Sequence, residues 1–366
     1  MRTKPIFSQL NPYVPGKTIE EVREAYGLDN IVKLASNENP LGFSEHVQKG
    51  LQESITQLEI YPDGYARQIR NVLASSLEVD EKQILFGNGS DEVVQIICRT
   101  FLEPGTNTVM ATPTFPQYRH NALIEGAEVR EVPVVDGEHD LETMLNQIDE
   151  QTRVVWLCNP NNPTGNMIDQ TAFDHFMSLC PEDVLVVVDE AYREYVTDFS
   201  YADSLNALST YPNLMITRTF SKAYGLAALR FGYGIAKEEL ISTLEPAREP
   251  FNTNVLAQKA AMLALEDSAF IQHTYEHNKK VKKEMMAFCD RLGLGYYPSE
   301  ANFLLIHLPI SGDEMTEHLL QNGYIVRSGE ALGIPNSIRL TMGREEDMNH
   351  IMKVMEDKLS SVSKHS

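Results

Sequence analysis

Short apolar runs alternate with amphipathic segments through the middle of the chain. Residues 83–86, 108–111, 129–134, 154–158, 184–189, 214–217 and 231–236 each read as a strand. Several of these runs are continuous and β-branched, as in strands that helices cover on both faces. Between them, Ser90–Phe101 gathers Val93, Val94, Ile96, Ile97 and Phe101 on one side of a helix. The alternation predicts an α/β fold built on a mainly parallel seven-stranded sheet. In such sheets ligands bind beyond the carboxyl ends of the strands. After about residue 250 the pattern changes to one long helix over 254–291, then shorter strands at 301–307, 324–327 and 337–341. That change predicts an N-terminal arm (1–35), a large α/β domain (36–250) and a smaller α+β domain (251–366). Part of the arm is expected to pack on the small domain.

The 366 residues include 52 acidic and 31 basic side chains, a formal net charge of −21. The excess is local: residues 101–200 hold 18 acids and 4 bases, while 201–300 hold 11 of each. Nucleic acids and anionic membrane surfaces are polyanions, so neither is an expected partner. The N-terminal stretch lacks a secretory apolar run, and the longest aliphatic run, 184–188, is too short to span a bilayer. Cys98, Cys158, Cys180 and Cys289 lie far apart without a CxxC pair. They read as reduced, mostly buried thiols of a cytoplasmic protein.

The residues directly after the strands are unusual. At 86–92, Phe-Gly-Asn-Gly-Ser-Asp-Glu is a glycine turn running into a helix, which lets backbone approach a ligand and offers free N–H groups to a phosphate. Read alone, it is better explained as an ordinary helix start capped by Ser90. At 159–165, Asn-Pro-Asn-Asn-Pro-Thr-Gly has the composition of a plain turn. The strand over 184–188 ends in Asp189, followed by Glu190, Ala191 and Tyr192. A buried acid there costs free energy unless a cation partners it. Finally, Thr219, Ser221, Lys222 and Arg230 follow the 214–217 strand. Two hydroxyls, an amine and a guanidinium suit a phosphorylated ligand held covalently by the amine.

In this order and spacing, the four loops resemble the fold-type I pyridoxal-phosphate (PLP) aminotransferases, and the resemblance covers essentially the whole chain. The motifs at 10–17, 33–42 and 61–64 are similar to one branch of that family. The resemblance implies PLP as cofactor, Lys222 as the lysine that holds it and shuttles a proton, and Asp189 as partner of its ring nitrogen. It further implies that Tyr192 and Asn162 meet the phenolic oxygen and that Phe115 stacks on the ring. Arg230, Ser221, Thr219 and the backbone of Ser90 and Asp91 would hold the phosphate. Tyr61 would reach the phosphate of a partner subunit, making a homodimer with shared active sites. Tyr13, Asn37, Arg327 and Arg339 would bind substrate. The implied reaction is transamination of L-histidinol phosphate with 2-oxoglutarate, giving imidazole acetol phosphate and glutamate in histidine biosynthesis. An aromatic amino acid aminotransferase or a threonine-phosphate decarboxylase-like enzyme would share the cofactor loops. A non-catalytic PLP-binding regulator fits poorly, because the segment before Lys33 is too short for a DNA-binding domain.

His273, Glu276 and His277 match the HxxEH spacing of a zinc site. Lys279, Lys280, Lys282 and Lys283 follow and would oppose a cation. A solvated helix face accounts for both features, and no metal is expected.

Overall fold

A computed structural model of the chain describes residues 1–8, 10, 12, 16–55 and 58–363. Its strands, in chain order, are β1 (Val32–Lys33), β2 (Ile84–Gly87), β3 (Asn107–Thr112), β4 (Glu128–Pro133), β5 (Thr152–Cys158) and β6 (Leu185–Asp189). They continue with β7 (Leu214–Thr219), β8 (Gly232–Ala236), β9 (Phe303–His307), β10 (Tyr324–Ile325), β11 (Arg327–Ser328) and β12 (Ser337–Thr341). Among the described residues, β2 to β8 form one seven-stranded sheet in the order β2-β8-β7-β6-β5-β3-β4. Every pairing in it is parallel except the two made by β8.

The apolar runs form strands because both faces of this sheet are covered. On β5, Val155 and Leu157 join one apolar cluster, while Val154, Trp156 and Cys158 join the cluster on the opposite face. Likewise β6 sends Val186 and Val188 one way, Leu185 and Val187 the other. Each such side chain contributes about 1.5–3 kcal/mol relative to exposure, which favours this register over a one-residue slip. The same alternation turns Asp189, the last residue of β6, toward the Trp156 and Cys158 side.

A third apolar cluster surrounds the small sheet β11-β12-β9. The β1 strand of the N-terminal segment pairs in parallel with β10. The expected single strand over 324–327 is two short strands separated by Val326, with different partners on either side.

The long helix expected over 254–291 is also two helices, Val255–Glu266 and Ser268–Leu292. The break is at Asp267, whose carboxylate accepts from Phe270 N at 3.1 Å and caps the second helix, while Ser44 donates to its other oxygen. Capping makes starting a new helix there more favourable than continuing the old one. The first helix buries Ala257, Ala260, Ala261 and Ala264 in the apolar cluster of the large domain, against the helices Glu45–Ser54 and Arg67–Leu77, and the second packs Val281, Met285 and Phe288 in the cluster of the small sheet. The lysine-rich face of the second helix is not wholly solvated. Lys282 is 5% exposed, and its ammonium donates to Ala301 O at 3.1 Å. Among the described residues, no helix is long and apolar enough to cross a membrane.

Candidate active site

The carboxyl ends of β5, β6 and β7 and the start of the helix Ser90–Phe101 open into a cavity of about 400 Å³, roofed by β11 and β12 of the small sheet. Asn37, Ser90, Asp91, Phe115, Asn162, Asp189, Tyr192, Thr219, Ser221, Lys222, Arg230, Arg327 and Arg339 all line it. Tyr13 lies outside the described residues, and Tyr61 is on the surface, 79% exposed and stacked on Phe251 at 4.7 Å.

At one end the helix Ser90–Phe101 starts without a side-chain cap. Its cap position is Gly89, at φ +76°, instead of Ser90. A Cβ at Gly89 would stand 2.7 Å from the Arg230 guanidinium, and one at Gly232 would stand 2.3 Å from Ser90 N. The two glycines therefore let Arg230 and β8 close on the helix start. Arg230 pairs with Asp91 at 2.8 Å and donates to Ser221 Oγ at 3.4 Å, and Thr219 Oγ1 accepts from Ser221 N. Free helical N–H groups, two hydroxyls and a guanidinium make an anion cradle.

At the floor, Asp189 is 3% exposed. Burial pushes its carboxyl up to about 6, against the hydrogen bond from the Tyr118 hydroxyl. Tyr118 Oη donates to Oδ2 at 2.6 Å, whereas the buried Oδ1 has no hydrogen-bond partner. An unpartnered carboxylate oxygen in a dry pocket suits a ligand cation, such as a protonated ring nitrogen.

Lys222 Nζ donates to Ser36 O at 3.0 Å and stands 5.8 Å from the centre of the Tyr192 ring. Burial first, then the positive charge of Arg339, pulls its ammonium down to about 8. The Tyr192 hydroxyl accepts from Asn37 Nδ2 at 3.0 Å and from Asn162 Nδ2 at 3.3 Å. Burial raises its pKa above that of an ordinary phenol, partly offset by Arg339. The 159–165 loop is more than a turn. Asn159 and Asn161 tie it down through Ile168, Thr114, Pro113 and Thr164, leaving Asn162 to face the cavity. Asn162 Oδ1 accepts from Arg339 Nη1 at 2.6 Å, while Arg339 Nη2 donates to Ala35 O at 2.6 Å. Arg327 is directly opposite Arg339 in the β11–β12 pairing.

Residues 29–355 match the family described as aminotransferase class I and II. The chain belongs to that family. This aminotransferase is 58% identical over 355 residues to histidinol-phosphate aminotransferase from Geobacillus sp. (strain WCH70), covering 97% of each chain. It is 57% identical over 355 residues, again 97% of each, to the protein of that name from Geobacillus thermodenitrificans. The structure of histidinol-phosphate aminotransferase from Sinorhizobium meliloti in complex with pyridoxal-5′-phosphate superposes with a TM-score of 0.90 at 24% identity, covering 99% of this chain and 98% of that one. At that identity the superposition speaks for the fold.

Tyr118, Ser36 and Ala35 touch site residues and were not singled out from the sequence. Nothing local marks them. Two act through backbone carbonyls, and Tyr118 meets Asp189 across 71 positions of chain.

Proposed function

We propose that this aminotransferase moves the amino group of L-histidinol phosphate to 2-oxoglutarate, giving imidazole acetol phosphate and glutamate, with PLP as cofactor. The observation that carries the reading is one cavity holding Lys222, the unpartnered Asp189 Oδ1, the cradle around Arg230, and the Arg327–Arg339 pair. The names of the two Geobacillus relatives support the choice of substrate, and the reaction is a step of histidine biosynthesis.

PLP, when bound, supplies the electron sink that lets a bond at the substrate α-carbon ionise. Arg230, Ser221, Thr219 and the backbone of Ser90 and Asp91 hold its phosphate. Asp189 Oδ1 pairs with its ring nitrogen. A carboxylate beside that nitrogen would favour its protonated form, since unit charges about 4 Å apart attract by roughly 4 kcal/mol at an effective dielectric of 20. Phe115 would cover the ring face, and Tyr192 and Asn162 would offer hydrogen bonds to its phenolic oxygen. Lys222 supplies the amine that holds the cofactor. With its pKa near 8, the neutral base form is accessible at physiological pH, so Nζ can accept a proton and return it. Arg327 and Arg339, with Tyr13 and Asn37, take the phosphate of one substrate and the carboxylate of the other.

The enzyme acts as a homodimer in the cytoplasm, where its four free cysteines stay reduced. Ile55, Leu58, Ile60, Tyr61, Tyr65 and Phe251 are all exposed, with Tyr61 stacked on Phe251, and a second copy would cover such apolar side chains. Tyr61 then reaches the partner's cofactor phosphate.

The test measures glutamate formed from 2-oxoglutarate with each amino donor. Histidinol phosphate should outperform phenylalanine and tyrosine by orders of magnitude; equal rates would overturn the choice of substrate.

A further inference from the structure

Asp189 is held from behind by a stack that has no part in the cofactor loops. The Tyr118 ring is fully buried and lies on the Trp156 ring, with centroids 4.7 Å apart and planes inclined by 9°. Trp156 is fixed in turn: its Nε1 donates to Thr108 Oγ1 at 2.9 Å, and that hydroxyl donates to Val154 O at 2.7 Å. Phe115, which lines the cavity, meets the Tyr118 ring edge-on at 5.4 Å. Trp156 and Cys158 share one face of β5, and Cys158 is the cross-strand neighbour of Asp189. A ring lying on Trp156 therefore has its hydroxyl at the level of Asp189, where the 2.6 Å hydrogen bond to Oδ2 is found.

We infer that Tyr118 is a positioning residue for the cofactor ring, its hydroxyl pinning Asp189 Oδ2 so that Oδ1 is turned to the ring nitrogen. A free carboxylate rotates about its last bond and presents either oxygen. Here one oxygen is engaged from the sheet side by a rigid donor, so the other faces the cavity with its orientation fixed in advance. The donor also favours the ionised carboxylate in a buried setting that opposes it. The other titratable groups facing Asp189 are Asp91 on the helix Ser90–Phe101, Cys158 on β5, Tyr192 after β6 and Lys222 after β7. Among these, Asp91 raises the Asp189 pKa, so Tyr118, with smaller help from the Thr217 hydroxyl and the Ala191 N–H, works against burial and against Asp91 together.

This inference rests on the PLP reading, and the test separates the two. Tyr118→Phe keeps the stack on Trp156 and removes only the hydroxyl. In cofactor-free protein labelled with carbon-13 aspartate, the Asp189 carboxyl resonance, assigned by its loss in Asp189→Asn, should titrate about one pH unit higher in Tyr118→Phe. Site-specific 3-fluorotyrosine at position 118, a stronger donor of nearly the same shape, should move the titration the other way. PLP affinity, followed by quenching of the single tryptophan, Trp156, should fall about tenfold in Tyr118→Phe. In the loaded variant kcat should fall more than KM changes, with the acid limb of the pH profile moved upward. Unchanged titration in both variants would overturn the positioning role while leaving the transaminase reading intact. Failure of the unsubstituted protein to bind PLP would overturn both.

Discussion

Arg327 and Arg339 stand directly opposite each other across the antiparallel pairing of β11 and β12. Residues so paired share one face of the sheet, and like charges there repel. The arrangement is favourable when an anion lies between or beside them, and both arginines line the active-site cavity. Arg339 is further oriented by Asn162 Oδ1, by Ala35 O and by the Phe303 ring, 5.3 Å from its guanidinium carbon.

If this pair receives both substrates in turn, Arg339→Ala should lower kcat/KM for histidinol phosphate and for 2-oxoglutarate alike. Loss of a buried, hydrogen-bonded cation from such a contact costs about 2–5 kcal/mol, at least about thirtyfold in each half-reaction. Measuring the half-reactions separately checks this; a defect confined to one would break the shared-site idea.

Lys222 makes the cofactor-free protein less stable than it need be. Its ammonium titrates at about 8 in the fold against 10.5 in the unfolded chain. Below pH 8 both states are protonated and the folded state carries the whole cost of the buried charge. Between 8 and 10.5 the unfolded state binds more protons, so stability rises with pH as that cost fades. Lys222→Met should therefore stabilise the cofactor-free protein at pH 7 by about 1–3 kcal/mol, a gain that shrinks toward pH 10.5. Urea unfolding at a series of pH values reads this directly, and a gain independent of pH would exclude the ammonium as its source.

The phosphate cradle depends on close approach of two backbones. Gly232→Ala places a methyl group 2.3 Å from Ser90 N and forces β8 away from the helix start. PLP affinity should drop at least about tenfold, or about 1.4 kcal/mol, as measured by equilibrium dialysis. Undiminished affinity would show that the helix start does not hold the phosphate.

Shared active sites predict complementation between damaged chains. A mixed dimer of Lys222→Ala and Tyr61→Ala chains contains one site with both residues intact if Tyr61 serves the partner. Mixing the two inactive or weakened proteins should then restore PLP affinity at one site per dimer. If Tyr61 served its own chain, no site in the mixture would be complete and nothing would be restored.

The sequence by itself determined the succession of strands and helices along the large domain and the four loops that follow its strands. Those signals are local: a β-branched run, a glycine turn and a basic loop each form within a few residues, and the parallel topology brings the loop ends together. Lys222, Asp189, Asn162 and Arg230 sit in those loops, and it is the resemblance of the four loops taken together, in their order and spacing, that points to them. Only the tertiary structure decided the break at Asp267, where a helix-forming pattern gives way to a cap tied to Ser44, far away in the chain. It alone decided that Lys282, in a run of lysines, is buried against Ala301. It also paired Arg327 with Arg339, because register across strands depends on packing that no short segment contains. The Tyr118–Asp189 contact belongs with these. Tyr118 lies in the helix Gln117–Glu125, whose sequence has no clear apolar stripe, and which carboxylate it meets is settled by how that helix sits over Trp156 and Cys158 on a strand formed elsewhere.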